Sequence, residues 1–181
     1  MKKVVIEGIQ GSRLEDLVDH LIQASSPSLK VKYTRPPSPF KGFKDWVTCL
    51  TAAMEAWRDD APVLLFERSM LAQHCYVKAY AESDDLGQHE YRLLKQMIDG
   101  ITHSSSKPDM IILMDCPAEI AKKRLADTAL CELSLEQLKV IRSSLIDWSN
   151  DARSSGVEVI TLLDTCSLPE VARQICQDLG V

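Results

Sequence analysis

Glu7-Gly8-Ile9-Gln10-Gly11-Ser12-Arg13-Leu14 follows a short apolar run and opens a stretch of helical period, and its reading decides the fold. A glycine-rich turn between a strand and a helix presents backbone N–H groups to an anion, so the position is that of a phosphate loop. A working loop of this kind reads G-x-x-x-x-G-K-[ST]. Counting from Gly8 puts Arg13 at the second glycine, Leu14 at the lysine and Glu15 at the hydroxyl. Leucine removes the charge that neutralises a transferring phosphate, and a glutamate at the Mg²⁺ hydroxyl position sets a like charge against a triphosphate. Arg13 can reach an anion one residue early, but only if its Cβ tolerates a conformation that glycine normally supplies. The plainer reading is a strand-to-helix turn in which Gly8 and Gly11 serve the backbone, Ser12 follows them and Arg13 is solvated.

Outward from this turn, short apolar runs alternate with longer helical stretches, the pattern of βα units around a parallel sheet. Strands are predicted at Val4 to Ile6, Leu29 to Tyr33, Val63 to Phe66, Met110 to Asp115 and Val157 to Leu163. Leu14, Leu17, Val18, Leu21 and Ile22 share one helix face, as do Trp46, Val47, Leu50, Met54 and Trp57. Further helices are predicted at Met70 to Ala81, Gln88 to Thr102, Ala118 to Leu125, Ser134 to Arg153 and Pro169 to Leu179, with Pro117 and Pro169 in first turns and Ser134 with Gln137 as a capping box. No proline- or serine-rich stretch is long enough to divide the chain, so residues 1–181 are expected to form one α/β domain.

Composition narrows the function classes. The 181 residues carry a formal net charge of −5, which argues against a protein that coats nucleic acid or anionic membrane. No apolar run approaches the roughly 18 residues that span a bilayer, and Glu7 interrupts the amino-terminal run too early for a signal peptide. The expected location is cytoplasmic. Six scattered cysteines without a CxxC pair, and no His at zinc-ligand spacing, read as reduced thiols with no metal site. Lys30, Lys32, Arg35, Lys41 and Lys44 form a run without a carboxylate. That run serves either an anionic partner or a protected edge strand.

Four ordered features together resemble the deoxynucleoside kinases, a group related to thymidylate kinases. They are Ile6-Glu7-Gly8 with Gly11-Ser12; Phe66-Glu67-Arg68-Ser69 leading to Cys75-Tyr76-Val77; Glu90-Tyr91 opening a helix; and Pro108-Asp109-Met110-Ile111-Ile112-Leu113 followed by Pro117-Ala118-Glu119, Arg124 and Asp147-Trp148. The resemblance implies a three-layer, P-loop kinase-like fold, a five-stranded parallel sheet with helices on both faces and ligands beyond the strands' carboxyl ends. It also implies an active-site position for Glu67 and Arg68, which alternatively form a plain helix-start pair with Arg68 solvated. Asp45, Trp46 and Tyr76 become candidates for lining a base pocket. A homodimer through long helices is implied too, with Met70 to Ala81 and Gln88 to Thr102 supplying the apolar face.

The departures from the family pattern carry the functional expectation. Members have a carboxylate just past the second strand that takes the proton from the sugar 5′-hydroxyl, whereas Ala24 to Lys44 contains no Asp or Glu. Members carry several lid arginines after the Pro-x-Glu helix, and Arg124 alone survives in Arg124-Leu125-Ala126-Asp127-Thr128-Ala129-Leu130. A general base contributes ~10² to 10⁴ in rate and charge-stabilising groups a comparable factor each. The favoured reading is a pseudokinase that binds a nucleoside, a nucleotide or a partner. The alternatives are an active deoxynucleoside or nucleoside monophosphate kinase using ATP and Mg²⁺ atypically, and a scaffold that binds no nucleotide.

Overall fold

In the computed structural model the described residues are 2–26, 29–33, 43–104, 107–126 and 133–181. Twelve elements follow one another. They are β1 (Lys2–Gly8), α1 (Leu14–Ala24), β2 (Leu29–Tyr33), α2 (Phe43–Trp57), β3 (Val63–Glu67), α3 (Met70–Glu82), α4 (Gln88–Ser104), β4 (Met110–Asp115), α5 (Ala118–Leu125), α6 (Leu135–Ser154), β5 (Glu158–Leu163) and α7 (Leu168–Leu179). All strand pairs are parallel, in the order β2-β3-β1-β4-β5. The expected elements form, with β1 extending past both ends of the predicted run and β5 starting one residue later, at Glu158.

The three layers follow from the strand alternation. Val4 and Ile6 of β1 face α1 and α7 with Leu14, Leu17, Ala172 and Ile175. Val5 faces the other way, where Leu64 and Phe66 pack on Trp57. α2 to α6 cover that second face through Trp46, Leu50, Val77, Tyr80, Leu94, Ile141 and Leu145. Because both faces of the central strands are covered, they read as continuous apolar runs rather than alternating ones. Ser134 caps α6 by accepting from Gln137 N at 3.1 Å while Gln137 Oε1 accepts from Ser134 N at 2.8 Å, so the predicted capping box is present.

β2 is an edge strand, and its lysines are already engaged. Lys30 and Lys32 both reach Asp59, at 2.6 and 2.9 Å, and the two ammonium groups hold that carboxyl well below the usual carboxylate range. The edge-strand reading of the basic run therefore holds at these two positions, while Arg35 and Lys41 lie outside the described residues. Cys49, Cys75, Cys116, Cys166 and Cys176 are free thiols. Most apolar positions of α3, including Ala72, Val77 and Ala79, are buried within the chain, which removes that helix from the expected dimer face.

Candidate functional site at the carboxyl end of the sheet

Parallel register brings the carboxyl ends of β1 and β3 together, with Ile6 opposite Glu67 and Gly8 opposite Met114 of β4. Gly8 and Glu67 thus lie at the same end of the sheet, where the strand order reverses and a crevice opens in folds of this kind.

The turn after β1 is built by close approach. A Cβ on Gly8 would meet Ser12 Oγ at 2.5 Å and Met114 Cβ at 3.2 Å, and one on Gly11 would meet the Ala121 carbonyl oxygen of α5 at 2.7 Å. Gly11 also has φ of +84°. Ser12 is fully buried under Gly8, so its hydroxyl faces the protein and not the mouth of the turn.

Arg13 takes φ 64°, the left-handed conformation that the count from Gly8 demands at the second glycine position. That geometry costs an L-residue about 1–2 kcal/mol. Its guanidinium is turned to Asp16 at 3.5 Å and to the Asp164 carbonyl at 3.4 Å, so it is half-exposed and engaged instead of solvated. Leu14 is completely buried among the apolar residues of α1 and β1. The lysine position of the motif therefore points into the core.

Glu15, at the hydroxyl position of the motif, is paired within the chain. Arg68 Nη2 donates to Glu15 Oε1 at 3.0 Å, and the arginine is only 4 % exposed, which rules out the alternative of a solvated helix-start charge. Arg68 also has a left-handed backbone, φ 61°, with its N–H donating to the Ile6 carbonyl at 2.8 Å. This turn sends the chain from β3 back across the end of β1. The guanidinium carbon sits 5.9 Å from the centre of the Tyr76 ring. Glu67 is fully buried at the strand end.

Beside this pair lies a carboxylate to which the sequence reading gave no role. Glu7 is fully buried and accepts from Ser69 N at 2.8 Å through Oε1, while Oε2 has no hydrogen-bond partner among the described residues. Burial pushes its carboxyl up to about 7, against the opposing pull of Ser69 and the Arg68 charge. A single acidic residue inside an otherwise apolar central strand was the available signal. Burial likewise raises the Tyr76 hydroxyl.

Arg124 of α5 forms a two-pronged pair with Asp164, Nη1 to Oδ1 at 2.5 Å and Nη2 to Oδ2 at 2.8 Å, and donates to the Gly11 carbonyl at 3.2 Å. The guanidinium holds the Asp164 carboxyl below the usual range. Arg142 of α6 forms a similar pair with Asp115 at the end of β4, at 2.7 and 3.1 Å. Asp164, Arg142 and Asp115 carry no sequence signal, since each is an isolated charge whose partner is remote in the chain.

Of the base-pocket candidates, Trp46 and Tyr76 are buried in one cluster with Ile9, and Trp46 meets Tyr80 edge-on at 6.1 Å. Asp45 stays half-buried in the first turn of α2. Residues 34–42, from the stretch without a carboxylate, and 127–132, from the expected lid, lie outside the described residues. Among the described residues no three His, Cys, Asp or Glu side chains cluster as metal ligands, and no helix is long and apolar enough to cross a membrane. An apolar cavity of about 370 Å³, walled by Val5, Trp57, Met70, Pro108, Trp148 and Val157, runs from Ser69, whose N–H serves Glu7, toward the amino ends of β4 and β5.

A sequence model described as deoxynucleoside kinase matches residues 12–173. The chain belongs to the deoxynucleoside kinase family. No curated protein sequence matches this family member. Solved structures with the same fold include deoxyadenosine kinase from M. mycoides with products dCMP and a flexible dCDP bound, at TM-score 0.75 and 13% identity, covering 98% of each chain. The same enzyme with bound dATP aligns at TM-score 0.73 and 12% identity over 99% of this chain and 100% of that one. With bound dCTP it aligns at 0.75 and 11% over 97% of both. This deoxynucleoside kinase-family chain therefore keeps the family architecture from end to end while its loop departs from the motif.

Proposed function

We propose that this chain is a family member that binds a nucleoside at the carboxyl end of the sheet and has lost phosphoryl transfer from ATP. The observation that carries the reading is the Glu15 to Arg68 pair beside a core-buried Leu14. The position that serves Mg²⁺ in a working loop holds a carboxylate tied to the chain's own arginine, and the position that neutralises the γ-phosphate holds a leucine. Arg124 is likewise engaged by Asp164. Charge that would stabilise a transferring phosphoryl group is thus neutralised internally, and the transition state gains nothing from it. The related deoxyadenosine kinase structures hold dCMP, dATP and dCTP, which favours a nucleoside as the ligand here. Gly8, Gly11, Ser12 and Arg13 remain as the turn that shapes this end of the site, with Glu67 and Arg68 as vestiges of the catalytic pair.

The family's pairing through long helices extends the proposal to a homodimer. With α3 used internally, the contact falls on the outer faces of α2 and α4, around Thr51, Met54, Met97 and Ile101. Sedimentation at micromolar concentration checks this, a monomer counting against it.

Calorimetric titration with the four deoxynucleosides, their 5′-monophosphates, and ATP with and without Mg²⁺ tests the binding reading. A nucleoside is expected to bind more tightly than ATP. Failure of every nucleoside to bind, or Mg²⁺-dependent ATP binding tighter than any nucleoside, contradicts it.

A further inference from the structure

We infer that Glu15 determines the ligand class of this site: its carboxylate fills the anion seat made by Arg68, so the chain selects an uncharged ligand over its phosphorylated counterpart. Neutralising Glu15 opens that seat to a phosphate oxyanion. The inference deepens the nucleoside-binding reading and rests on it for the identity of the uncharged ligand, but the anion seat itself is a property of named side chains.

A guanidinium presents its donors in a rigid fork that matches carboxylate and phosphate alike. Arg68 is 4 % exposed, so a carboxylate lost from its Nη2 is poorly replaced by bulk water and an anionic or polar acceptor fits there better. The seat is fixed from behind. The left-handed backbone at Arg68, its N–H bond to Ile6 and the Ser69 N–H bond to Glu7 hold the turn against β1, and Tyr76 lies beside the guanidinium. Glu15 is the exposed half, with a side chain 39 % exposed in the first turn of α1. An incoming phosphate must displace that carboxylate or lie against it, and either route weakens binding. Glu7 adds a second acidic side chain to the same neighbourhood. Arg124 cannot substitute, because both prongs of its fork are on Asp164.

The test uses inorganic pyrophosphate, followed by calorimetry on the wild type, Glu15→Gln, Glu15→Ser and the double variant Glu15→Gln with Arg68→Met. Glutamine keeps an oxygen acceptor for Arg68, and serine provides a second neutral variant if one of the two folds poorly. The expected result is at least tenfold tighter pyrophosphate binding in the neutral variants, with the gain lost when Arg68 is also replaced. In the wild type, the Arg68 Nε resonance is expected to stay unmoved by millimolar pyrophosphate. No gain in either neutral variant, a gain that survives Arg68→Met, or a wild-type Arg68 shift at submillimolar pyrophosphate overturns the inference. A deoxynucleoside titration run alongside separates the two claims. Retained nucleoside binding without a pyrophosphate gain defeats the anion seat alone, and a pyrophosphate gain without nucleoside binding defeats the functional reading alone.

Discussion

Arg68, the first residue after β3, donates to Glu15 in the first turn of α1 at 3.0 Å, across a sequence separation of 53 residues. The two ends of this pair are unequal in burial, 4 % against 39 %. What replaces Glu15 therefore sets the cost. Glu15→Gln, which keeps an acceptor, is expected to lower stability by about 1 kcal/mol or less. Glu15→Leu takes this acceptor away from a buried guanidinium and is expected to cost more, about 3 kcal/mol. Urea unfolding of the two variants checks the ordering, and equal losses would show that Arg68 finds another acceptor.

Glu7 makes stability depend on pH in an unusual direction. Its folded value, about 7, lies above the ordinary 4.5, so the native state keeps this proton to higher pH than the unfolded chain does. Stability accordingly falls as pH rises from about 4.5 to about 7, by roughly 3 kcal/mol for this one group. Glu7→Gln preserves the acceptor for Ser69 and removes the charge. Its melting temperature should exceed that of the wild type at pH 8 and lose that advantage at pH 5, whereas a constant difference would refute the assignment.

Asp164 titrates in the opposite sense. Arg124 holds its folded value below the ordinary 3.8, so the pair's contribution is present above that pH and lost as pH falls through the depressed value. Arg124→Ala is expected to cost about 1–3 kcal/mol at pH 7, because Asp164 is nearly buried. The gap to wild type should narrow in acid denaturation below pH about 4.

The turn after β1 is constrained by packing as well as by conformation. Gly11→Ala adds a Cβ to a residue at φ +84° and places it against the Ala121 carbonyl oxygen. A loss of about 2 kcal/mol or more is expected in thermal unfolding. A neutral outcome would mean that α5 can move away from the loop.

Much of this architecture is legible in the residues themselves. Apolar runs such as Met110 to Asp115 and the periodic spacing of Leu14, Leu17, Val18 and Leu21 dictate elements locally, while the count from Gly8 puts Arg13 at a glycine position and the structure gives it φ 64°. The charges were harder to place. Arg68 reads equally as an active-site residue and as a solvated helix-start charge because nothing nearby in sequence announces the backward turn at φ 61°, and nothing local to Glu15 points to its partner in another βα unit. The same limit applies to Lys30 and Lys32, whose run looks open to an anion until β3 registers beside β2 and Asp59 arrives between them. Local periodicity encodes elements, while the pairing of isolated charges is written only in the packing.

Phosphoryl transfer is the most direct measurement of the central claim. The purified chain is incubated with radiolabelled ATP, Mg²⁺ and each natural deoxynucleoside, and labelled monophosphate is counted against a no-protein control. Leu14, Glu15 and the engaged Arg68 and Arg124 predict no product above that control. Turnover near about one per second with any natural nucleoside, a rate typical of working enzymes, would contradict the account.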